Sequence, residues 1–162
     1  MTPWHRVFAY GSNMDLGDVA AWFEQQQLGK PNVLHLAVGC LEGHRLVWNY
    51  RSPRRGAGAA NVEPAVQRSV PGLLLEVDDA TLSGLDRKEG HPGRYLRQLQ
   101  TCRVWSGELR EAWVYRVVPA YRERALVPPR AGYRDILLAA ARRHGFPAEY
   151  IAELEALQVI ED

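Results

Sequence analysis

With 162 residues, 46% of them hydrophobic and 24% charged, the chain suits one domain, residues 1–162, with a substantial core and ordinary globular composition. Twenty Lys plus Arg against nineteen Asp plus Glu leave a net charge of +1, which gives no electrostatic footprint for nucleic acid or an acidic membrane. No apolar run approaches the roughly 20 residues needed to span a bilayer, and Met1–Arg6 lacks the apolar core of a leader, so a cytoplasmic protein is expected. Cys40 and Cys102 form neither a disulfide framework nor a zinc pattern, and both are expected as core thiols in a reducing compartment.

In chain order, residues 5–10 read as a strand that stops at Gly11, and residues 14–26 as a helix with Leu16, Val19, Ala20 and Phe23 at helical spacing. Ser12 or Asn13 is the expected N-cap. Residues 35–41 and 44–50 read as two strands joined by a hairpin at Glu42-Gly43. Residues 51–58, basic and rich in glycine, read as a loop, followed by a short strand over residues 59–63. Residues 71–77 are a further strand, in which Leu73-Leu74-Leu75 points to burial on both faces. Asp78-Asp79 opens a helix to about Arg87, with Leu82 and Leu85 inward, and Lys88-Glu89-Gly90 closes it. A long hairpin over residues 95–105 and 109–118 follows, with Trp113, Tyr115 and Val117 on one face. Two helices end the chain, the first striped by Tyr133, Ile136, Leu137, Ala140 and Ala141, with Gly145 and Pro147 between them. Short strands joined mostly by hairpins, with helices inserted, predict an α+β fold with a curved, largely antiparallel sheet or a small barrel, not a doubly wound parallel sheet.

Chemistry concentrates in two places. The first is Val7-Phe8-Ala9-Tyr10-Gly11-Ser12-Asn13, where a buried strand turns straight into a helix. Backbone amides at such a junction lack helical partners and are able to hold an anion or an oxyanion; the same residues also make an ordinary turn. No phosphate-loop or dinucleotide fingerprint occurs in the chain, and Ser12 lacks the glycines of a nucleophile elbow. The second is Leu85 to Tyr95, where Glu89 stands at a helix end against a glycine. A carboxylate held there is a candidate general base, and the same residue also reads as one charge in the exposed run Asp86-Arg87-Lys88. His91 reads as a structural histidine, and the five histidines have no metal-ligand spacing, so no metal is expected.

Together these residues resemble the γ-glutamylcyclotransferase family, with its AIG2-like and BtrG-like branches. The resemblance rests on Phe8-Ala9-Tyr10-Gly11-Ser12-Asn13 after a strand, on Leu85-Asp86 with Glu89-Gly90, Gly93 and Tyr95, on Tyr133 at a helix start, and on Gly145-Phe146-Pro147 with Tyr150. It implies a small mixed β-barrel with flanking helices. It also implies an acyltransferase or lyase reaction in which a γ-glutamyl amine, amino acid or peptide loses its amine and the glutamyl part closes to 5-oxoproline, with no metal and no cofactor. By position it assigns substrate binding to Val7, Phe8, Ala9, Tyr10, Gly11, Ser12, Asn13 and Tyr133, and the acid/base role to Glu89. The expected partner is a small γ-glutamyl molecule bound by a monomer or homodimer, with no nucleic acid and no membrane. The other function considered is a non-catalytic γ-glutamyl-binding or protein-interaction domain of the same fold. Arg54 and Arg55 read as solvated, or as facing a carboxylate of the leaving group.

Overall fold

Burial deepens along the first strand. β1 (Trp4–Ala9) starts exposed and ends with Val7, Phe8 and Ala9 enclosed. The computed structural model describes residues 3–162; Met1 and Thr2, which open the stretch read as lacking a leader, lie outside the described residues. β1 runs antiparallel to β5 (Asn61–Asp78), pairing Val7 with Leu75 and Ala9 with Leu73. It is parallel to β7 (Leu109–Val117), through Val7 and Trp113. β2 (Val33–Val47) joins β5 to β6 (Tyr95–Val104), and the order β1-β5-β2-β6-β7 closes on itself. This is the small mixed barrel that the resemblance implies. Four helices flank it: α1 (Leu16–Gln25), α2 (Asp79–Glu89), α3 (Ala131–Arg143) and α4 (Ala148–Glu155).

Closure pairs every barrel strand on both sides, most briefly where β2 meets β6 through Gly39–Val104 and Cys40–Arg103 and where β1 meets β7. Leu73, Leu74 and Leu75 are all buried, as a strand covered on both faces requires. Each such leucine contributes about 1.5–3 kcal/mol through the apolar surface it withdraws from water.

The sequence reading divides this wall too finely. β2 passes straight through Glu42-Gly43: Glu42 pairs with Ser69 and His44 with Pro64, so Gly43 lies within the strand at a register shift, not at a hairpin turn. Residues 65–68 make the matching excursion in β5, which is one long strand where two were expected. A glycine after an acidic residue looks alike inside a strand and in a turn; only the pairing partner distinguishes them. Residues 51–58 are not wholly a loop, since β3 (Arg51–Ser52) pairs with β4 (Ala57–Gly58) in a small hairpin. Cys102 is a core thiol, but Cys40 is only half-buried.

Candidate active site

β1 delivers Tyr10 to one end of the barrel, and a single 3-10 turn, Ser12–Met14, follows. The carbonyls of Gly11 and Ser12 accept from the amides of Met14 (3.1 Å) and Asp15 (3.0 Å). The cap of α1 is Asp15, not Ser12 or Asn13: its carboxylate accepts from the amides of Gly17 (2.9 Å) and Asp18 (3.1 Å). That displacement matters to the site, because it frees the side chains of Ser12 and Asn13 from capping.

α2 arrives from the other side. Gly84 packs against the ring of Phe23 so closely that a Cβ would lie 2.3 Å from Cζ, which draws α2 onto α1. One turn beyond Gly84, Lys88 meets Asp18 of α1 at 3.5 Å. The Lys88 side chain is 1% exposed. Its ammonium donates to Ser12 Oγ (3.0 Å) and Asn13 Oδ1 (2.8 Å), and Asn13 Nδ2 donates onward to Glu89 Oε1 at 2.7 Å. Lys88 thus fixes which way the Asn13 amide faces, and that amide holds the Glu89 carboxylate. Burial pushes the Lys88 ammonium down, and the carboxylates of Glu89 and Asp18 hold it partly up. Glu89 itself is half-buried; the enclosed charge at this helix end is its neighbour. Gly90 closes α2 in the left-handed conformation, with φ of 69°.

Between these elements lies a cleft of about 360 Å³, lined by Phe8, Ala9, Tyr10, Gly11, Ser12, Asn13, Glu89 and Tyr133 among others. Of the residues expected at the site, Val7 alone does not line it: it is fully buried in β1, between Leu75 and Trp113. A larger hollow of about 930 Å³ beside α1 is lined by Leu16, Ala20, Glu24, Lys30 and Pro31, and brings no comparable polar set together.

Phenols form much of the cleft wall. Tyr10 donates to the Tyr115 carbonyl (2.5 Å), Tyr95 to the Ala60 carbonyl (2.7 Å), and Tyr115 to Asp86 (2.6 Å). Burial pushes the phenols of Tyr10, Tyr95 and Tyr133 up, so all three are neutral near pH 7. Tyr133 differs from the others because its oxygen accepts, from the amide of Ala60 at 3.1 Å. Its own proton is therefore left to give. Gly11 permits this approach, since a Cβ there would stand 3.1 Å from the Tyr133 hydroxyl. Arg55 lies over the Tyr133 ring at 4.7 Å and pairs with Asp18 at 3.4 Å, a held position, not a solvated one. His91 does have a structural partner: its Nδ1 accepts from the amide of Arg97 at 3.2 Å.

The sequence reading missed Lys88 and Tyr50 as cleft residues. A signal for Lys88 was present: Thr81, Leu85 and Lys88 follow 4-then-3 spacing, one helix face, so a lysine stands where an apolar residue belongs. Tyr50 carried no comparable signal, because it lies beyond the end of β2, outside any regular element.

Comparison with known proteins agrees with this fold. The chain is 26% identical to the gamma-glutamylcyclotransferase of Mus musculus and 24% identical to that of Bos taurus, each over 156 residues, 93% of this chain and 77% of the relative. A solved structure named gamma-glutamyl cyclotransferase superposes with a TM-score of 0.80 at 20% identity, covering 98% of this chain and 90% of that one, so the two share a fold. The family model described as "Gamma-glutamyl cyclotransferase, AIG2-like" matches residues 7–135, a span that holds β1, its turn, all of α2 and Tyr133. The chain belongs to the gamma-glutamyl cyclotransferase, AIG2-like family.

Proposed function

We propose that this protein is a γ-glutamylcyclotransferase, releasing 5-oxoproline and a free amine from a small γ-glutamyl substrate, with Glu89 as general acid/base. Family membership supports the reaction class. The observation that carries the residue roles is the 2.7 Å bond from Asn13 to Glu89, which ties the turn after β1 to the end of α2 along one cleft. The volume, about 360 Å³, is at the lower end of the roughly 300–1,000 Å³ typical of small-molecule sites.

The nucleophile is the substrate's own α-amine. Its nitrogen bonds to the γ-carbonyl carbon, closing a five-membered lactam, and the bond from that carbon to the departing nitrogen breaks. An α-ammonium, with a pKa of roughly 8, carries three hydrogens, and the lactam nitrogen keeps one. Two protons therefore move to the departing nitrogen, which leaves as an ammonium, and no outside reactant is consumed. Glu89 takes each proton and passes it on. Asn13 occupies Oε1 and so leaves Oε2 for this work. Tyr133 and the amides of the turn hold the glutamyl half curled, and an ordered intramolecular attack supplies roughly 7–11 kcal/mol of the barrier.

The test is incubation with a panel of γ-glutamyl amines, amino acids and peptides, with 5-oxoproline measured directly. Release from at least one, lost in Glu89→Gln while the fold is retained, is the expected result. Binding without product would make the domain a γ-glutamyl-binding module instead, and near wild-type turnover by Glu89→Gln would remove Glu89 from the chemistry.

A further inference from the structure

The walls of the cleft come from elements far apart in the chain, and two of them converge on one carboxylate. Lys88 reaches Asp18 from α2, and Arg55 reaches it from the turn between β3 and β4. Both meet the same oxygen, Oδ2, at 3.5 Å and 3.4 Å. Among the described residues, Asp18 is the one carboxylate within ion-pair distance of either cation. Yet Asp18 does not line the cleft. Both cations are themselves held. The Lys88 side chain is enclosed and that of Arg55 is 17% exposed. The Arg55 carbonyl accepts from Arg130 Nε at 2.9 Å, and its amide donates to Ser52 Oγ at 3.3 Å.

Asp18 has a fixed place and two electrostatic duties. It stands in the first turn of α1, where a carboxylate suits the helix dipole, and its amide donates to the Asp15 cap at 3.1 Å. An ammonium as enclosed as that of Lys88 needs a partner anion. Two cations brought to one spot also repel unless an anion is shared between them. Burial, and to a lesser degree the Arg54 and Arg55 charges, push the Lys88 ammonium down, while the carboxylates of Glu89 and Asp18 hold it up. Glu89 is thus the competing anion. Asp18 draws the ammonium toward α1, from where it reaches Glu89 through the Asn13 amide.

Each cation passes its placement on. Lys88 donates to Asn13 Oδ1 at 2.8 Å, and Asn13 Nδ2 donates to Glu89 Oε1 at 2.7 Å. Arg55 lies over the Tyr133 ring at 4.7 Å. We propose that Asp18 is a positioning residue for both halves of the site: through Lys88 and Asn13 it sets the Glu89 carboxylate that moves protons, and through Arg55 it sets the Tyr133 ring that holds the glutamyl half. The proposal rests on reading this cleft as the γ-glutamyl site. It makes the two arms separable, the first read in kcat and the second in KM.

The test is a set of single and double variants assayed on a γ-glutamyl substrate that the wild type turns over, with kcat taken per folded molecule. Asp18→Asn removes the charge and keeps the shape; it should lower kcat about fivefold and raise KM about threefold. Lys88→Met should lower kcat alone, and Arg55→Gln should raise KM alone. In a Lys88→Met background Asp18→Asn should leave kcat where it is, and in an Arg55→Gln background it should leave KM where it is. Wild-type kcat and KM in Asp18→Asn overturn the proposal, whatever happens to the melting temperature. So do losses that add in either double variant. NMR reads the same wiring without turnover. The Asn13 side-chain amide pair, assigned by its absence in Asn13→Asp, should shift in Asp18→Asn as it does in Lys88→Met. The Tyr133 ring signals, assigned by Tyr133→Phe, should shift as they do in Arg55→Gln. If no γ-glutamyl compound is turned over, the proposed reaction fails and the spectra alone decide the positioning: shifts at both residues support it, and a signal unmoved at either sinks it.

Discussion

Midway along the barrel wall, Gly39 of β2 faces Gly72 of β5. A Cβ on Gly39 would come within 2.5 Å of the Arg103 carbonyl oxygen, and one on Gly72 within 2.5 Å of the Ala9 carbonyl oxygen. At the cleft, Lys88 is just as enclosed, yet it is held by hydrogen bonds to Ser12 and Asn13 and not by contact with backbone. Both regions are intolerant of change, for different reasons. The wall is limited by space, because closure brings backbone against backbone. The cleft is limited by wiring, because each polar group there fixes the orientation of the next. Substitutions in the wall should therefore cost stability, and substitutions in the cleft should cost turnover.

The largest expected effect tests the wiring at its end. Glu89→Gln keeps the acceptor for Asn13 but not the proton carrier, and should lower kcat by about 10²–10⁴-fold with an unchanged melting temperature. Gly72→Ala is its counterpart in the wall. Overpacking against Ala9 and the Phe8 ring should cost about 3 kcal/mol in a denaturant titration, with kcat per folded molecule preserved. A Gly72→Ala protein of normal stability and poor kcat would erase the distinction between the two regions.

Lys88→Met comes next. Leaving Ser12 Oγ and Asn13 Oδ1 without their buried donor should cost about 1–3 kcal/mol of stability, and loss of the Asn13 orientation should reduce kcat by about tenfold with little change in KM. Combined with Asn13→Ala, the two losses should be far from additive, since both act through the same bond to Glu89. Additive losses would mean that Lys88 acts elsewhere. Tyr10 sits on the boundary: it lines the cleft, but its hydroxyl is spent on the Tyr115 carbonyl of β7. Tyr10→Phe should accordingly behave as a wall substitution, costing about 1 kcal/mol of stability and leaving kcat within about twofold.

The smallest effect lies at the far end of α2. Asp78 caps that helix by accepting from the Thr81 amide at 2.9 Å, and its hydrogen bonds from Thr81 hold the carboxyl below its ordinary range. Asp78→Ala should cost about 1 kcal/mol at neutral pH. Because the folded pKa is the depressed one, this contribution is complete above the unfolded carboxylate value, about pH 4, and is lost as pH falls through the folded value. Melting curves of both proteins from pH 7 down to pH 3 should converge at the acid end.

Local patterns read well where one segment carries its own reason. The β6–β7 hairpin turns at residues 105–108 as its Ser-Gly-Glu turn predicts, and α3 and α4 keep the apolar stripes and the glycine between them. Leu73 to Leu75 announced a doubly covered strand. What misread was set by partners far along the chain. Gly43 stayed inside a strand because β5 pairs with β2 on both sides of it, and Asp15 took the cap because a 3-10 turn intervenes first. Arg55 left solvent because Asp18 and the Tyr133 ring are waiting for it.

The amino-acid sequence by itself determined the junction of a buried strand with Gly11-Ser12-Asn13, the amphipathic helices and the ordered motifs that place the chain in its family, because each depends on residues within a turn or two of one another. Only the tertiary structure decided that Lys88 would be enclosed, that Asn13 would join it to Glu89, and that Arg54 and Arg94 would line one cleft. Those outcomes depend on contacts between elements separated by as many as 76 residues, and a side chain's burial and hydrogen bonds are properties of what closes around it.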